Sequence, residues 1–342
     1  MKNLSGLSKI KIAVVSILIG WIGISQTYAQ QEAQYSQYMF NMLSVNPAYA
    51  GSRDVLSLTG LFRQQWVNIP GAPQTISFSA DMPLRNETIG IGMKAYKDKL
   101  GVTDQTNIDF TAAYRIRLTT RTTLAVGLQA GVLNYQAQLS SVNTGQTPGY
   151  DPAFTNDLNK IVPNFGAGIY LSNDRYYLGV SVPQFLESRL SNYVIAGADS
   201  LNGARNVLRR HIFGMFGFVV PLGSSLKLKP SFLVKYVQGA PLALDANLNL
   251  WIKDRVAIGA SWRTSRLKFN EKVYGNTYNL AQGDAIVGMA EFQLSDQFRL
   301  GYAYDFTLNG LNTGGIAGAT HEILLRYEFG FSKSKILTPR YF

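Results

Sequence analysis

Between Asn107 and Leu118 the chain alternates strictly. Ile108, Phe110, Ala112, Tyr114, Ile116 and Leu118 fall on one side, and Asn107, Asp109, Thr111, Ala113, Arg115 and Arg117 on the other. Successive strand residues point to opposite faces, so this period of two predicts a strand; a helix would scatter the same residues around its circumference. The pattern recurs. Leu56, Leu58, Phe62 and Trp66 oppose Ser57, Thr59, Arg63 and Gln65, while Ile76, Phe78 and Ala80 oppose Thr75, Ser77, Ser79 and Asp81. Leu124, Val126, Leu128 and Ala130 oppose Gln129 and the small residues Ala125, Gly127 and Gly131. Near the end Ile323, Leu325, Tyr327 and Phe329 oppose Glu322, Arg326 and Glu328.

The connections alternate too. Short polar turns are predicted at Arg85-Asn86-Glu87, Thr119 to Arg121, Asn173-Asp174-Arg175, Gly223 to Ser225, Lys253-Asp254-Arg255 and Ser295-Asp296-Gln297. Longer links are predicted at Lys97 to Gln105, Gln136 to Pro163, Gln184 to Val207, Thr264 to Gly283 and Asn309 to Ala319. Strand, short turn, strand, long loop is the layout of outer-membrane barrels, whose short turns face the periplasm. The segments number roughly fourteen, an even count of the kind single-chain bacterial barrels use. Closure removes the sheet edges that lipid could not satisfy. The reading is therefore an all-β, transmembrane antiparallel β-barrel. A secreted β-sandwich shows the same alternation with its faces inverted. Aromatics near strand ends favour the membrane: Trp66, Tyr96, Tyr114, Tyr176, Trp251, Trp262, Phe298, Phe306, Tyr327 and Phe329 fall where interfacial girdles are expected.

The N-terminus agrees. Lys2, Lys9 and Lys11 precede an uncharged apolar run from Ile12 to about Ile24, and Thr27-Tyr28-Ala29 offers a small-x-small cleavage site before Gln30. The run is shorter than the roughly 20 residues a spanning helix needs, so it reads as a cleaved secretory signal rather than an anchor. No Cys follows the cut, so nothing points to a lipoprotein anchor, and the total of zero cysteines excludes a disulfide-stapled domain. Losing three lysines from 32 basic residues leaves 29 against 21 acids, a mature charge of about +8. Such a balance can signal nucleic acid, but an exported chain rarely meets any. The expected organisation is a signal peptide at 1–29, an N-terminal motif segment at 30–52, the barrel at 53–331 and a C-terminal tail at 332–342.

Catalytic chemistry is not visible. Only His211 and His321 are available, without thiols, which nearly excludes metal sites built from His and Cys. His321 and Glu322 are adjacent and should face opposite ways in a strand, so they form no dyad. His321 reads as a loop-end residue and His211 as structural. Gly90 with Gly92, and Gly166 with Gly168, lack the Lys-Ser/Thr of a phosphate loop and read as small lumen-facing residues. No cofactor is implied.

The polar face is unusually charged. Arg63, Lys94, Asp109, Arg115, Arg117, Lys227, Lys229, Lys235, Asp245, Arg263, Glu291, Arg299, Asp305, Glu322 and Arg326 all fall on it. Burying such groups demands pairing or water. Two arrangements satisfy this: an internal salt-bridge network bracing a filled barrel, or a hydrated path that prefers anions.

The segment from Gln34 to Gly51 is rich in aromatics and lacks clean alternation, with turn signals at Asn46-Pro47 and Ala50-Gly51. It is expected to form a short plug in the periplasmic mouth or to lie against the rim. An exposed strip of this composition would be a binding surface. Tyr35, Tyr38, Phe40, Asn46, Pro47 and Tyr49 are therefore the candidate partner-binding residues.

The stretch from Gln34 to Ser52 resembles the N-terminal signature of the PorP/SprF family, outer-membrane proteins of the type IX secretion system of Bacteroidetes. Further similarity lies in Arg63-Gln64-Gln65-Trp66 followed by Pro70-Gly71-Ala72-Pro73-Gln74-Thr75, and in Asp98 to Gly101. It continues in Tyr304-Asp305-Phe306-Thr307-Leu308-Asn309 and in His321-Glu322-Ile323-Leu324-Leu325-Arg326-Tyr327. The likeness runs from about Gln30 to about Phe331. Its opening motif is specific and its middle strands are not. Met42 departs from the small residue or Pro expected there. The resemblance implies a role in the export or surface attachment of large proteins that carry a C-terminal sorting domain, notably gliding adhesins. It also implies contact with periplasmic ring components and with a peptidoglycan-binding partner. Two other classes fit the pattern: a transporter of hydrophobic or small solutes similar to the fatty-acid barrels, and an outer-membrane hydrolase that would need one of the two histidines.

Overall fold

The computed structural model describes residues 34–84, 87–142, 156–190, 207–238, 240, 242–264, 272–273, 276–277, 284–308 and 317–330. The short turn expected at Arg85-Asn86 and most of the three longest loops lie outside them, as does the predicted signal peptide.

Fourteen strands form the wall. They are β1 (Leu56–Gln64), β2 (Gln74–Pro83), β3 (Ile89–Leu100), β4 (Thr103–Arg117), β5 (Thr123–Ala137), β6 (Leu158–Ser172) and β7 (Tyr176–Val182). The second half comprises β8 (His211–Phe218), β9 (Leu226–Val237), β10 (Ala243–Ile252), β11 (Val256–Thr264), β12 (Ala285–Gln293), β13 (Phe298–Thr307) and β14 (Thr320–Phe329). Each strand pairs antiparallel with its sequence neighbours, and β1 pairs with β14 from Leu56 opposite Phe329 to Gln64 opposite His321. That pairing closes the cylinder, so no lipid-facing edge remains. No helix among the described residues is long and apolar enough to cross a membrane; the strands do the crossing.

Side-chain alternation sorts the residues as the sequence predicts. On β4 the outward set is Ile108, Phe110, Ala112, Tyr114 and Ile116, while Asn107, Asp109, Thr111 and Ala113 are buried in the lumen. The outward face is apolar all round the barrel because lipid, not protein, is its solvent. Leu128, 63% exposed, stands near the middle of the spanning part of β5. Leu128→Arg is expected to destabilise the barrel by about 2–4 kcal/mol, and Arg in place of Phe329 at the turn-side end by about 0–1 kcal/mol. Denaturant unfolding of the protein reconstituted in lipid vesicles measures both; equal costs at the two depths would contradict the assigned spanning region.

Two expectations need correction. The longer link from Lys97 to Gln105 does not exist: β3 and β4 continue in register to Leu100 opposite Thr103 and join through Gly101-Val102, with Gly101 at φ +56°. The link from Gln136 to Pro163 is likewise shorter, since β5 and β6 stay paired up to Ala137 opposite Leu158. The physical reason is common to both. A tilted strand crosses a bilayer in about 9–11 residues, whereas β4, β5 and β6 each have 15. Beyond the hydrocarbon no lipid demands apolar side chains on the outer face, so the spanning pattern ends while the backbone ladder continues. Lys97 and Asp104 pair across this extension at 3.5 Å.

The projecting wall carries its own small core of Leu133, Tyr135, Ala137, Val162, Leu190 and Leu208, closed by pairing of Ser188–Arg189 with Val207–Leu208. Just before β6, Asp157 accepts the backbone N–H of Ser140, which lies just past β5, at 3.0 Å and its hydroxyl at 2.8 Å. These two hydrogen bonds, the backbone one foremost, favour the carboxylate and hold Asp157 below its usual range.

The expected aromatic girdle is partly right. Tyr114, Tyr176, Phe306 and Phe329 are exposed outward. Trp251 and Tyr96 are not girdle residues. Trp251 is buried in the lumen, edge-on to Phe40 with ring centroids 6.4 Å apart and with the Arg299 guanidinium 5.6 Å above its ring. Tyr96 shares the lumen face of β3 with Lys94.

Candidate functional site

The lumen is occupied by the protein's own N-terminal segment. Three single 3₁₀ turns, Tyr38–Phe40, Met42–Ser44 and Pro47–Tyr49, form a compact chain that enters β1 at Leu56. Short turns suit this sequence. Asn46 caps the third by accepting the Ala48 N–H at 2.9 Å, and Pro47 follows at the first position, where no donor is needed. Tyr38, Met39, Met42, Leu43 and Tyr49 are all at most 3% exposed and pack into the barrel's apolar core with wall residues such as Tyr170, Tyr177, Phe213, Met215 and Trp251. The segment was expected to plug the periplasmic mouth or to lie against the rim; it lies deeper, along the length of the lumen. Met42, the residue that departs from the family pattern, is buried in that core.

The six candidate residues are all in this plug. Tyr35, Tyr38, Phe40, Asn46, Pro47 and Tyr49 are buried, so a partner could touch them only after the segment left the lumen. Tyr38 Oη accepts from Asn247 Nδ2 at 2.7 Å, and Tyr49 packs edge-on to Tyr170 at 5.5 Å between centroids. Asn46 Nδ2 donates to the Ile169 carbonyl at 3.1 Å. Their observed role is to fill and seat the plug.

Wall glycines make the seat. A Cβ at Gly127 would stand closer than 3.0 Å to the backbone of Pro47 and Ala48; at Gly90 it would meet the Ala50 carbonyl, and at Gly168 the Asn46 side chain. These positions read from sequence as small lumen-facing residues, which is correct, but the reason is close approach of the plug backbone.

The ionic groups form the second half of the site. Lys235, Asp245, Arg263, Asp305, Arg63 and Glu322 make one chain of alternating charge. Its links are Lys235 to Asp245 at 2.9 Å, Arg263 to Asp245 at 3.3 Å and to Asp305 at 3.1 Å, and Arg63 to Asp305 and to Glu322 at 2.9 Å each. With three cations and three anions the chain is neutral, so its burial leaves no net charge in the lumen. The plug is tied into it. Glu322 accepts the backbone N–H of Ser36 at 2.8 Å and of Gln37 at 2.7 Å. The Ser36 hydroxyl donates to Asp305 at 2.8 Å and accepts from Arg63 at 2.6 Å and Arg263 at 3.0 Å. Lys235 donates to Gln34 Oε1 at 2.9 Å.

Four stretches that carry the sequence resemblance therefore meet at one point. Ser36 comes from the opening motif, Arg63 from the second, Asp305 from Tyr304 to Asn309, and Glu322 from His321 to Tyr327. Nothing in their spacing along the chain announced that meeting; it follows from β1, β13 and β14 being neighbours after closure. Of the two arrangements considered for the charged face, the bracing network is the one built. Lys94 with Asp109, Arg299 with Glu291, and Arg53 with Glu328 extend it. Arg117 does not belong to it: its side chain is 72% exposed at the turn-side rim, paired with Glu87.

Catalytic geometry does not assemble at the histidines. His321 points outward and shares a 2.7 Å hydrogen bond with Tyr302 Oη, while Glu322 is fully buried in the lumen, so the two face apart as the strand period requires. His211 is buried with Nδ1 3.0 Å from the Arg209 carbonyl. Among the described residues no group of three His, Cys, Asp or Glu could hold a metal ion.

A family model described as "Type IX secretion system membrane protein PorP/SprF" matches residues 27–327. Among curated proteins, none matches. Similar solved structures include the Acinetobacter baumannii outer membrane protein Omp33, with 6% identity, 80% of this chain and 98% of that chain covered, and a TM-score of 0.44. A Pseudomonas aeruginosa FadL homologue shows 12% identity, 86% and 94% coverage and a TM-score of 0.44. The CymD monoaromatic hydrocarbon channel shows 12% identity, 86% and 93% coverage and a TM-score of 0.47.

Proposed function

The chain belongs to the PorP/SprF family of type IX secretion system membrane proteins, and we propose that it acts there as a docking or anchoring barrel. On this reading it holds a large exported protein with a C-terminal sorting domain, such as a gliding adhesin, at the cell surface. The observation that carries the proposal is the filled lumen. A secretion barrel whose bore contains its own residues 34–54, bound to the wall by charge and by apolar packing, offers no conduit to a folded client. A fourteen-strand barrel is also too narrow for one. The useful surfaces are then the loops, which meet the client, and the turns, which meet periplasmic ring components or a peptidoglycan-binding partner. Residues 1–29 serve as the cleaved export signal that places the barrel in the outer membrane.

The transport reading is less well supported, because the plug is held at both of its ends rather than hinged at one. Arg53 pairs with Glu328 at 2.6 Å and Asp54 with Arg115 at 2.8 Å, opposite the Ser36 grip. Deleting the gene tests the proposal. A large surface protein is expected to be degraded or lost from the cell surface while other secreted proteins still exit. Unchanged surface display of every large client would overturn it, and uptake of hydrophobic solutes by reconstituted liposomes would restore the transporter.

A further inference from the structure

We infer that the barrel is threaded lengthwise by its own N-terminal segment, with Gln34 at the loop side, facing the cell surface, and Arg53 and Asp54 at the periplasmic end. The inference rests on the orientation used above, short turns in the periplasm, and is independent of whether a client docks.

The contacts of the segment descend the lumen in order. Gln34 meets Lys235, and Ser36 meets Arg63, Arg263, Asp305 and Glu322. All five wall residues stand near the loop-side ends of their strands, which finish or start at Val237, Gln64, Thr264, Thr307 and Thr320. Asn41 then meets Ser79 at 3.1 Å and the Ser44 carbonyl meets Lys94 at 3.4 Å, both midway along β2 and β3. Gly51 donates to Asp81 at 2.9 Å, and Arg53 and Asp54 reach Glu328 and Arg115, all near turn-side ends. From there the chain passes directly into β1 at Leu56.

Between the two ends Tyr38, Met39, Met42 and Leu43 are buried in the lumen. The segment joins the wall at the periplasmic end of β1, so Gln34 reaches the loop side by lying inside before β1 and β14 pair or by rising through the periplasmic mouth afterwards. Gln34, at the upper end of the plug, is thus held on the face where surface partners approach.

Cysteine reporters test this cleanly, because the native sequence has none. Gln34→Cys reports on the threaded end, Pro70→Cys on the exposed β1–β2 loop and Asp296→Cys on the exposed β12–β13 turn. Cells carrying each variant are treated with a membrane-impermeant maleimide, intact and after outer-membrane permeabilisation. Gln34→Cys and Pro70→Cys are expected to label on intact cells, and Asp296→Cys only after permeabilisation. Because Gln34 is half-buried, a short epitope inserted directly ahead of it and read by antibody on intact cells decides the case if the thiol is shielded. An epitope seen only after permeabilisation, while Pro70→Cys labels on intact cells, overturns the inference. Reversed behaviour of Pro70→Cys and Asp296→Cys overturns it too, through the orientation. Loss of client display alone bears on the docking proposal and leaves the labelling pattern unchanged.

Discussion

Glu322→Ala is expected to destabilise the barrel by about 3–5 kcal/mol, the usual cost of breaking a buried ion pair by removing one partner. Glu322 is fully buried and carries three loads: the Arg63 guanidinium at 2.9 Å and the backbone N–H groups of Ser36 and Gln37. Its loss strands a buried cation and two buried donors at once. At about 1.4 kcal/mol per decade this is roughly two to four decades in the folding constant. Unfolding of the detergent-solubilised or lipid-reconstituted protein measures it. Glu322→Gln should fall between, because an amide oxygen still accepts one N–H but cannot balance Arg63. Removing Arg63 as well should cost less than the sum of the two single changes, since the stranded charge is gone and Arg263 still holds Asp305 at 3.1 Å. Arg117→Ala is the control. Its exposed pair with Glu87 at the rim is worth under about 1 kcal/mol. Equal effects at Glu322 and Arg117 would mean that the lumen network is hydrated and carries no particular weight.

The wall was legible from sequence to an unusual degree, and for a definite reason. Lipid on one side and a polar lumen on the other impose period two on every spanning residue, so strand faces from Leu56 to Phe329 could be read residue by residue. Legibility ended where that constraint ended. Past the bilayer, Lys97 to Leu100 keep the ladder without the alternation, and from Leu133 to Ala137 the apolar residues move to the opposite face, so strand reads as loop. Trp251 and Tyr96 misled because an aromatic near a strand end serves equally well in a lipid girdle or against a plug, and local pattern does not distinguish them. Trp251 is decided by Phe40, which is distant in sequence.

The candidate site was half legible. The aromatic strip from Tyr35 to Tyr49 stood out by its composition, but composition does not say whether such a strip is offered to a partner or consumed by the molecule itself. The deciding information is in the opposite wall: Gly90, Gly127 and Gly168 leave backbone-deep space, and Asp305 and Glu322 leave acceptors for the segment's N–H and O–H groups. Each of those residues alone is ordinary for a barrel lumen. Their joint meaning appears only once closure brings β14 beside β1 and places both against Ser36.

Gly127→Val tests whether the plug is integral to the barrel or a removable stopper. The new side chain would start closer than 3.0 Å to the backbone of Pro47 and Ala48, and neither partner is a flexible side-chain tip that could swing aside. The wall at Gly127 is fixed on both sides, opposite Ala113 on β4 and Gly168 on β6, so the plug must give. How far it gives is a matter of magnitudes. Overpacking typically costs about 1–3 kcal/mol, whereas each large apolar side chain withdrawn from burial costs about 1.5–3 kcal/mol. Tyr38, Met39, Phe40, Met42 and Leu43 together therefore outweigh one valine. Gly127→Val alone is expected to lift only the Asn46 to Ala50 turn, raising protease cleavage there with little change in single-channel conductance. Gly60→Ala, where a Cβ meets nothing within 4 Å, should change neither. Combined with Glu322→Ala, which releases the other end, Gly127→Val should free the whole segment and open a conducting lumen in planar bilayers. A double variant that remains both closed and protease-resistant would show that the apolar packing alone retains the plug. A double variant that conducts yet still displays its client normally would separate plug from docking and confine the client's contacts to the loops.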